Sequence, residues 1–421
     1  MIDLDWLRTR RWFGGKGAAI ADVRVLNEAR VSAALACVTI EVTYAGGRAP
    51  ERYLLPVRPG GPPGRIEETL DEDALLDVLG LIRGGRTVRT DASTIHGERF
   101  SPALLDALPA RPSVRHLSAE QSNTSVVFGE QIIVKLIRKL EHGRNPELEI
   151  GALLSRADFR ATPELAGALS VSGAVEATLA VAHRFVPVEA DGWSYVLASL
   201  KSRAPTLLAE ALALGTRVGE LHLALASDKK DPAFAPEPIT RADHARWTGD
   251  LLRELDATVK LASAAVPGLA ARAPLLRRRI ERLRTLKPSG VKIRQHGDLH
   301  LGQVLRSEGQ WLIFDFEGEP ARTLGERRAK HCPWKDAAGM LRSFAYAGGA
   351  AQDDSMIPDC RRAFLRGYRA AAAALLPDDE RVLLESLELE KLLYELRYEV
   401  GHRPDWVRIP ARDLLSMEAH S

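Results

Sequence analysis

The alternation of hydrophobic and polar positions makes the first half of the chain strand-rich and the second half helical. Residues 37–44 alternate apolar and polar side chains up to a Gly-Gly pair, and residues 52–57 form a second such run, which predicts two strands joined by a loop. Residues 71–82 show helical spacing, with Asp71 as the candidate N-cap. For residues 1–100 we therefore expect strands and one helix.

A second unit is predicted to begin near Pro112, where residues 125–128 and 132–137 indicate another hairpin. From about residue 206 the pattern is that of amphipathic helices, predicted over 207–226, 241–262, 274–287, 360–375 and 380–398. One β island, 303–318, interrupts them with a predicted hairpin of Gln303–Arg306 and Trp311–Phe316. The change of pattern predicts two lobes joined near residues 185–188.

Composition narrows the class of protein. A chain of 421 residues with 45% hydrophobic and 27% charged residues is typical of a soluble globular protein of two or three domains. The net charge of +2 gives no reason to expect a nucleic-acid partner. Three scattered cysteines favour a reducing compartment, and no apolar run approaches the ~18 residues of a membrane span. We expect a cytoplasmic protein without a membrane partner.

The most informative motif lies in and beside the β island. Asp298, in His-Gly-Asp, precedes Gln303 by the spacing of a kinase catalytic loop, and Asp315-Phe316 occupies the position of its metal motif. The predicted hairpin brings Gln303 and Asp298 close to Asp315, and such oxygen ligands suit Mg²⁺. Asp298 is then the candidate catalytic base, and Gln303 and Asp315 are the candidate metal ligands. Glu317 replaces the glycine of Asp-Phe-Gly.

The strand-rich half supplies candidates for binding ATP. Lys135 lies on the second strand of its predicted hairpin, where it could reach the α- and β-phosphates, and Glu149 on the following helix could pair with it. Gln121–Ser125 would form the phosphate loop and Phe185–Val186 the hinge that meets adenine. The residues predicted to bind the nucleotide are Lys135, Glu149, Ser122, Asn123, Thr124, Ser125, Phe185 and Val186.

Three other motifs are rejected. Gly14-Gly15-Lys16-Gly17 lacks the glycine spacing and the Ser or Thr of a P-loop. His296 and His300 have the spacing of a zinc helix, but Gly297 stands where the glutamate should follow. The arginine-rich run 275–282 has the apolar spacing and acids of a solvated helix face, so we predict no nucleic-acid site there.

Several strings resemble a known family. Asp315–Pro320 (DFEGEP), Asp336–Phe344 (DAAGMLRSF) and Trp12–Gly17 (WFGGKG) are similar to actinobacterial maltokinases and their glucosamine-phosphorylating relatives. The resemblance covers nearly the whole chain. It implies an α+β, bilobal, aminoglycoside-phosphotransferase-like fold with a β-rich N-terminal cap, and Mg-ATP-dependent phosphorylation of a sugar hydroxyl. It also implies a cap at 1–95, an intermediate subdomain and N-lobe at 96–187, and a helical C-lobe with the catalytic loop at 188–421.

Residues 331–336, His-Cys-Pro-Trp-Lys-Asp, differ from the maltokinase pattern and resemble the glucosamine kinase branch. Trp334 is then a candidate for stacking on a sugar ring, with a core aromatic as the alternative. Acids near the site could attract an ammonium group, although Glu319 could instead pair with a nearby arginine. The residues predicted to contact substrate are His300, Glu317, Glu319, Trp334, Asp336 and Arg342.

We expect conversion of glucosamine to glucosamine 6-phosphate by a monomer or weak homodimer that binds only the sugar and ATP. Two related activities remain open: phosphorylation of maltose at the anomeric hydroxyl, and phosphorylation of an aminoglycoside antibiotic. From a different class, a catalytically inactive sugar or nucleotide sensor is disfavoured, because Lys135, Asp298, Gln303 and Asp315 are all present.

Overall fold

The computed structural model describes residues 2–60, 70–90, 92–117, 122–320 and 322–417. The chain divides into two compact units, Met1–Val186 and Pro187–Ser421. In the described residues, no helix is both long enough and apolar enough to cross a membrane. The three cysteines are buried and form no disulfide bond.

The first unit is built mainly from antiparallel strands. Its elements are α1 (Leu4–Thr9), β1 (Ile20–Arg30), β2 (Ala36–Tyr44), β3 (Glu51–Val57), α2 (Glu72–Gly84), β4 (Thr87–Arg89), β5 (Ser93–Arg99), α3 (Pro102–Asp106), β6 (Val114–Leu117), β7 (Thr124–Phe128), β8 (Ile132–Leu136), β9 (Lys139–Leu140), α4 (Pro146–Arg156), β10 (Leu165–Gly173) and β11 (Ala177–Arg184).

The predicted strands and helix of the first 100 residues are confirmed. β2 and β3 pair antiparallel, and with β1 and β9 they form a four-stranded sheet in the order β1-β2-β3-β9. Asp71 caps α2 by accepting a hydrogen bond from the backbone N–H of Ala74 at 2.9 Å. Gly85 ends α2 in the left-handed conformation that favours glycine.

The second sheet of this unit has seven strands in the order β4-β5-β10-β11-β8-β7-β6. The predicted hairpin of β7 and β8 is confirmed, and β8 lies between β7 and β11. β10 and β11 were not predicted from the sequence, because most of their side chains are buried and show no apolar–polar alternation. Because β8 is an interior strand, the residues along it are firmly placed.

The second unit is mainly helical. Its elements are β12 (Ala190–Asp191), α5 (Gly192–Ser202), α6 (Leu207–Leu225), β13 (Glu237–Pro238), α7 (Arg241–Ala262), α8 (Leu269–Glu281), β14 (Val291–Lys292), β15 (Val304–Ser307), β16 (Gln310–Ile313), α9 (Leu324–Arg328), α10 (Trp334–Ala351), α11 (Ile357–Ala372), α12 (Glu380–His402) and α13 (Arg408–Ser416), with short 3₁₀ turns at Arg282–Thr285, Leu301–Gln303, Ala373–Leu375 and Pro404–Trp406.

The predicted helices of this half are confirmed, with α7 over the predicted residues and α8 displaced toward the N-terminus. α8 begins at Leu269, before the predicted start at Pro274, and Pro274 lies inside the helix. The hairpin of β15 and β16 is also confirmed, and β12 pairs with β15 on the side away from β16. This small sheet carries the residues of the catalytic motif at one end.

Candidate active site

In the first unit, Lys135 forms an ion pair with Glu147, which lies two residues before the predicted partner, Glu149. Lys135 Nζ donates to Glu147 Oε2 at 3.0 Å, and their side chains are 12% and 7% exposed. Two residues on a helix point about 200° apart, so Glu147 and Glu149 cannot both face the sheet. The sequence prediction placed the acid two residues too late.

Local structure explains the position of Glu147. Asn145 caps α4 by accepting a hydrogen bond from the backbone N–H of Glu147 at 2.8 Å, and Pro146 occupies the first helical position. The first turn therefore begins at a fixed point on the face of the sheet that carries Lys135. His183 Nδ1 lies 3.7 Å from Glu147 Oε1, on the side away from the lysine. The acid is thus fixed by its helix cap.

The segment predicted to bind phosphates lies partly outside the described residues, because Gln121 is not among them. Ser125 is the cross-strand partner of Lys135, so both side chains share one face of the sheet. Its hydroxyl is buried without a hydrogen-bond partner in the described part of the chain, which fits a polar ligand beside Lys135. Asn123 is different: its Oδ1 accepts the backbone N–H of Arg138 at 3.3 Å. Asn123 therefore helps to fix the conformation of the predicted phosphate loop.

Ser122 is exposed and Thr124 half-buried at the start of β7, so both hydroxyls remain candidates. Phe185 and Val186 end the first unit, and both are half-buried. The backbone N–H of Phe185 donates to the carbonyl of Gln131 at 2.8 Å, and the Arg115 guanidinium lies 5.5 Å from its ring centroid. These contacts fix the segment where it leaves the sheet.

In the second unit, the catalytic loop runs from His296 to Gln303. Asp298 is half-buried, and its Oδ1 accepts a hydrogen bond from Lys391 Nζ at 2.9 Å. His300 Nδ1 accepts the backbone N–H of Gly302 at 3.0 Å, so the proton of a neutral ring is on Nε2, 4.0 Å from Asp298 Oδ2. Burial lowers the pKa of His300 and favours that neutral form.

The hairpin places Gln303 beside Asp315 as predicted. Gln303 directly precedes β15 and Asp315 lies just after β16, and Gln303 Nε2 donates to Asp315 Oδ2 at 3.0 Å. Asp315 has a positive φ of 65°, a strained conformation often found at functional sites. Gly318 also has a positive φ, and a Cβ there would meet the Arg327 side chain. The backbone at this motif is therefore closely constrained.

Asp336 is not a substrate contact, contrary to the sequence prediction. Its carboxylate is buried and accepts the backbone N–H groups of His296 at 2.8 Å and Gly297 at 3.0 Å. His222 Nε2 lies 3.1 Å from the same carboxylate. Burial acts to raise the pKa of Asp336, but the hydrogen bond and charge of His222 lower it overall. Asp336 is an internal support of the catalytic loop, and no ammonium group can reach it.

His222 connects Asp336 to a second buried residue, Tyr368. The Nδ1 atom of His222 lies 2.8 Å from the Tyr368 hydroxyl oxygen, and that hydroxyl also lies 2.9 Å from the carbonyl of Pro333. The catalytic loop therefore rests on a buried network of Asp336, His222 and Tyr368.

Two further predicted substrate contacts are corrected. Trp334 is 1% exposed and packs edge-on against Tyr368, with ring centroids 5.2 Å apart. It cannot stack on a sugar, and the core alternative is the right one. Arg342 is also buried, and it forms ion pairs with Glu395 and Asp413, each at 2.8 Å. Its Nε, Nη1 and Nη2 atoms donate to these two acids and hold α10 to α12 and α13, so it is a structural residue.

Glu319 pairs with an arginine, which is the alternative that the sequence left open. Its Oε2 accepts a hydrogen bond from Arg322 Nε at 3.0 Å, and its Oε1 lies 3.7 Å from Lys391 Nζ. Glu317 is half-buried, and its backbone carbonyl accepts from Arg327 Nη1 at 2.9 Å. Two cations therefore already balance the charge of Glu319.

A cavity of about 990 Å³ opens behind the catalytic loop within the second unit. Gln295 and Gly297 contribute to its wall, but Asp298 does not. Its wall contains both cations and acids, several of which pair with each other, such as Arg322 with Glu319 and Lys335 with Glu390. Its charges are therefore largely satisfied internally, and we do not assign it to the acceptor.

Sequence reasoning missed Glu147 and Lys391. The cap at Asn145 could have pointed to Glu147, because it fixes where the helix begins. No local signal marks Lys391, which lies 93 residues from Asp298 on α12. Only the folded chain brings them together.

Comparison with known proteins agrees with this geometry. Residues 6–77 match the family model of the maltokinase N-terminal cap domain. The chain is 31% identical over 331 residues to a glucosamine kinase of Streptacidiphilus jiangxiensis, covering 72% of this chain and 73% of the relative. It is 27% identical over 359 residues to a glucosamine kinase of Mycolicibacterium smegmatis, covering 75% and 86%.

Solved structures give the same result. One glucosamine kinase crystal form matches with a TM-score of 0.76 and 25% identity over 96% of this chain and 95% of that one. A glucosamine kinase in complex with glucosamine, ADP and inorganic phosphate matches with a TM-score of 0.75 and 25% identity, covering 97% and 96%. The fold and site define an α+β protein-kinase-like phosphotransferase with a maltokinase-type cap. Within that class, the chain belongs to the glucosamine kinase family.

Proposed function

We propose that this protein transfers the γ-phosphoryl group of ATP to the 6-hydroxyl of glucosamine. The observation that carries the proposal is the catalytic motif of the second unit, where Asp298 lies on a braced loop and Gln303 contacts Asp315 at 3.0 Å. The family relationship and a relative solved with glucosamine, ADP and inorganic phosphate support the choice of substrate.

In the first unit, Lys135 would neutralise negative charge on the nucleotide phosphates. Its ion pair with Glu147 keeps the ammonium group at a fixed height above the sheet. The orphaned Ser125 hydroxyl on the same face could donate to a phosphate oxygen. Ser122 and Thr124 would add hydroxyl donors at the start of β7, and Phe185 and Val186 would contact the base.

In the second unit, Asp298 would accept the proton of the acceptor hydroxyl. As the O–H bond breaks, the sugar oxygen forms a bond to the γ-phosphorus, and the bond from that phosphorus to the β,γ-bridging oxygen breaks to release ADP. The residues that carry the reaction therefore need only orient the hydroxyl and remove its proton. His300 and Glu317 remain proposed contacts of the acceptor.

Gln303 and Asp315 would hold Mg²⁺. The nitrogen and oxygen of the Gln303 amide are distinguished only by their assigned hydrogen bonds, so this side chain can present Oε1 next to the carboxylate of Asp315. A carboxylate and an amide oxygen suit a hard divalent cation. When bound, the ion would neutralise charge on the β- and γ-phosphates.

A cytoplasmic location and a monomer or weak homodimer also belong to this proposal. The three buried cysteines without disulfide bonds support a reducing compartment. Size-exclusion chromatography with light scattering would measure the oligomeric state directly.

The test is Mg-ATP-dependent ADP release with glucosamine, maltose, glucose, N-acetylglucosamine and an aminoglycoside antibiotic. We expect turnover to be fastest with glucosamine and to fall at least ~100-fold in Asp298→Ala, the usual size of a general-base effect. Preference for maltose would favour the activity named in the cap family. Nucleotide binding without ADP release for any sugar would indicate a sensor.

A further inference from the structure

Four side chains of alternating charge form a line that ends on the proposed catalytic base. Arg322 Nε donates to Glu319 Oε2 at 3.0 Å, and Glu319 Oε1 lies 3.7 Å from Lys391 Nζ. Lys391 Nζ then donates to Asp298 Oδ1 at 2.9 Å. The four residues come from three separate segments of the second unit, which pack together only in the folded protein.

The line is shielded from water where it meets Asp298. The side chains of Lys391, Asp298 and Glu319 are 23%, 19% and 11% exposed, so their charges interact more strongly than surface charges do. Burial acts to lower the pKa of Lys391, but the charges of Asp298 and Glu319 raise it overall. The ammonium also lies 4.7 Å from the centroid of the Tyr394 ring, so several groups hold it in place.

The contact with Lys391 gives the two carboxylate oxygens of Asp298 different surroundings. Oδ1 accepts from Lys391, whereas Oδ2 faces His300 Nε2 at 4.0 Å, beyond hydrogen-bond distance. A donor fixed on one oxygen sets the rotation of the carboxylate. Oδ2 is thereby the oxygen presented for the proton of the acceptor.

We infer that Lys391 is a positioning residue that fixes the orientation of the Asp298 carboxylate, and that Glu319 acts through Lys391. The inference rests on the proposed function, because it assigns a role to residues around the same base. It gives the second glutamate of the DFEGEP string a role other than binding an ammonium group. Glu319 holds the lysine, and Arg322 holds Glu319.

The experiment measures kcat and KM with glucosamine and Mg-ATP for Lys391→Met, Lys391→Arg, Glu319→Gln and the Lys391→Met/Glu319→Gln double variant. We expect Lys391→Met to lower kcat about 10-fold or more, from the loss of a hydrogen bond between charged groups, while KM for ATP stays unchanged. Lys391→Arg should restore most of kcat. Glu319→Gln should lower kcat alone but add nothing in the Lys391→Met background.

Arg361→Met is the matched control. Arg361 Nη2 donates to Glu388 Oε2 at 2.8 Å, so it also forms an ion pair with α12, but its partners in the described part of the chain include none of the four residues of the line. Its kcat should equal that of the wild type, and thermal unfolding of each variant checks folding. If Lys391→Met is unfolded, Lys391→Arg and Glu319→Gln carry the test.

Three results would overturn the inference: a wild-type kcat in Lys391→Met, an equal loss in Arg361→Met, or independent effects of Glu319→Gln and Lys391→Met. Failure of the proposed function looks different, because the wild-type protein itself would then release no ADP with glucosamine.

Discussion

The carboxylate of Asp336 accepts a hydrogen bond from the backbone N–H of Gly297 at 3.0 Å, across 39 residues of sequence. The same carboxylate accepts from the next amide, that of His296, and from the His222 ring. Gly297 immediately precedes the proposed catalytic base. The conformation of the catalytic loop therefore depends on a buried side chain that is distant from it in sequence.

Asp336→Asn should lower both stability and turnover. The amide group leaves a donor opposite one of the backbone N–H groups or the His222 ring. A buried donor left without an acceptor costs about 1–3 kcal/mol. Thermal unfolding and kcat measure the two effects, with the exposed Asp359→Asn as control. An Asp336→Asn protein with wild-type stability and kcat would contradict the role of this support.

Lys135→Met should raise KM for ATP and lower kcat, because the charge proposed to meet the phosphates is lost. Glu147→Gln should produce about a 10-fold loss of kcat/KM or more, since it removes the partner that holds Lys135. Glu149→Gln should have a clearly smaller effect. Steady-state kinetics with varied ATP compare the three variants. A larger loss in Glu149→Gln than in Glu147→Gln would show that the ion pair seen in the structure does not govern activity.

Trp334→Phe tests the reassignment of this residue from sugar contact to core. The indole Nε1 is buried without a hydrogen-bond partner in the described residues, so phenylalanine removes an unsatisfied donor as well as part of the ring. We expect modest destabilisation by Phe, about 3–5 kcal/mol by Ala, and an unchanged KM for glucosamine in the Phe variant. A KM that rises many-fold while the thermal midpoint stays constant would restore the sugar-stacking role.

Stability should fall as the pH drops below about 6.5. Burial, together with the charge of Lys335, lowers the pKa of His331 from 6.5 to about 3. The unfolded chain therefore binds a proton that the folded chain excludes, and the stabilisation present above pH 6.5 is lost as the pH falls toward 3. The ring stacks on Trp247 with centroids 4.3 Å apart and accepts the Cys332 N–H at 2.9 Å.

His331→Asn keeps a hydrogen-bond acceptor but cannot take up that proton. Its thermal midpoint should be lower at pH 7.5, because the stacked ring is lost, yet it should decline less between pH 7 and pH 4 than that of the wild type. The pKa of His244 is also lowered by burial, so part of the decline should remain. Parallel pH curves for the two proteins would show that His331 does not contribute.

Local patterns predicted much of the fold. Apolar runs, apolar–polar alternation and the turns between them found β2, β3, β7 and β8, and amphipathic spacing found α6, α7, α11 and α12. These signals failed for β10 and β11, which are mostly small or apolar and show no regular alternation. The catalytic hairpin was predictable because turn residues and short strands fix the distance between Gln303 and Asp315.

The surroundings of the catalytic motif could not be predicted in the same way. Whether an acid such as Asp336 faces a ligand or the protein interior depends on how α10 packs against the loop, which no short string encodes. The choice between Glu147 and Glu149 depends on a shift of two residues along α4, which rotates the side chain by about 200° around the helix axis. The contact of Lys391 with Asp298 joins segments 93 residues apart, so only the folded chain shows it.

A competition assay tests the central claim most directly. Wild-type protein, glucosamine and maltose in equal amounts, and a limiting quantity of Mg-ATP would be incubated together, and the phosphorylated products would be identified by mass and by phosphorus NMR. Our account predicts that glucosamine 6-phosphate carries nearly all of the transferred phosphate. Maltose 1-phosphate as the main product, or no sugar phosphate at all, would contradict it.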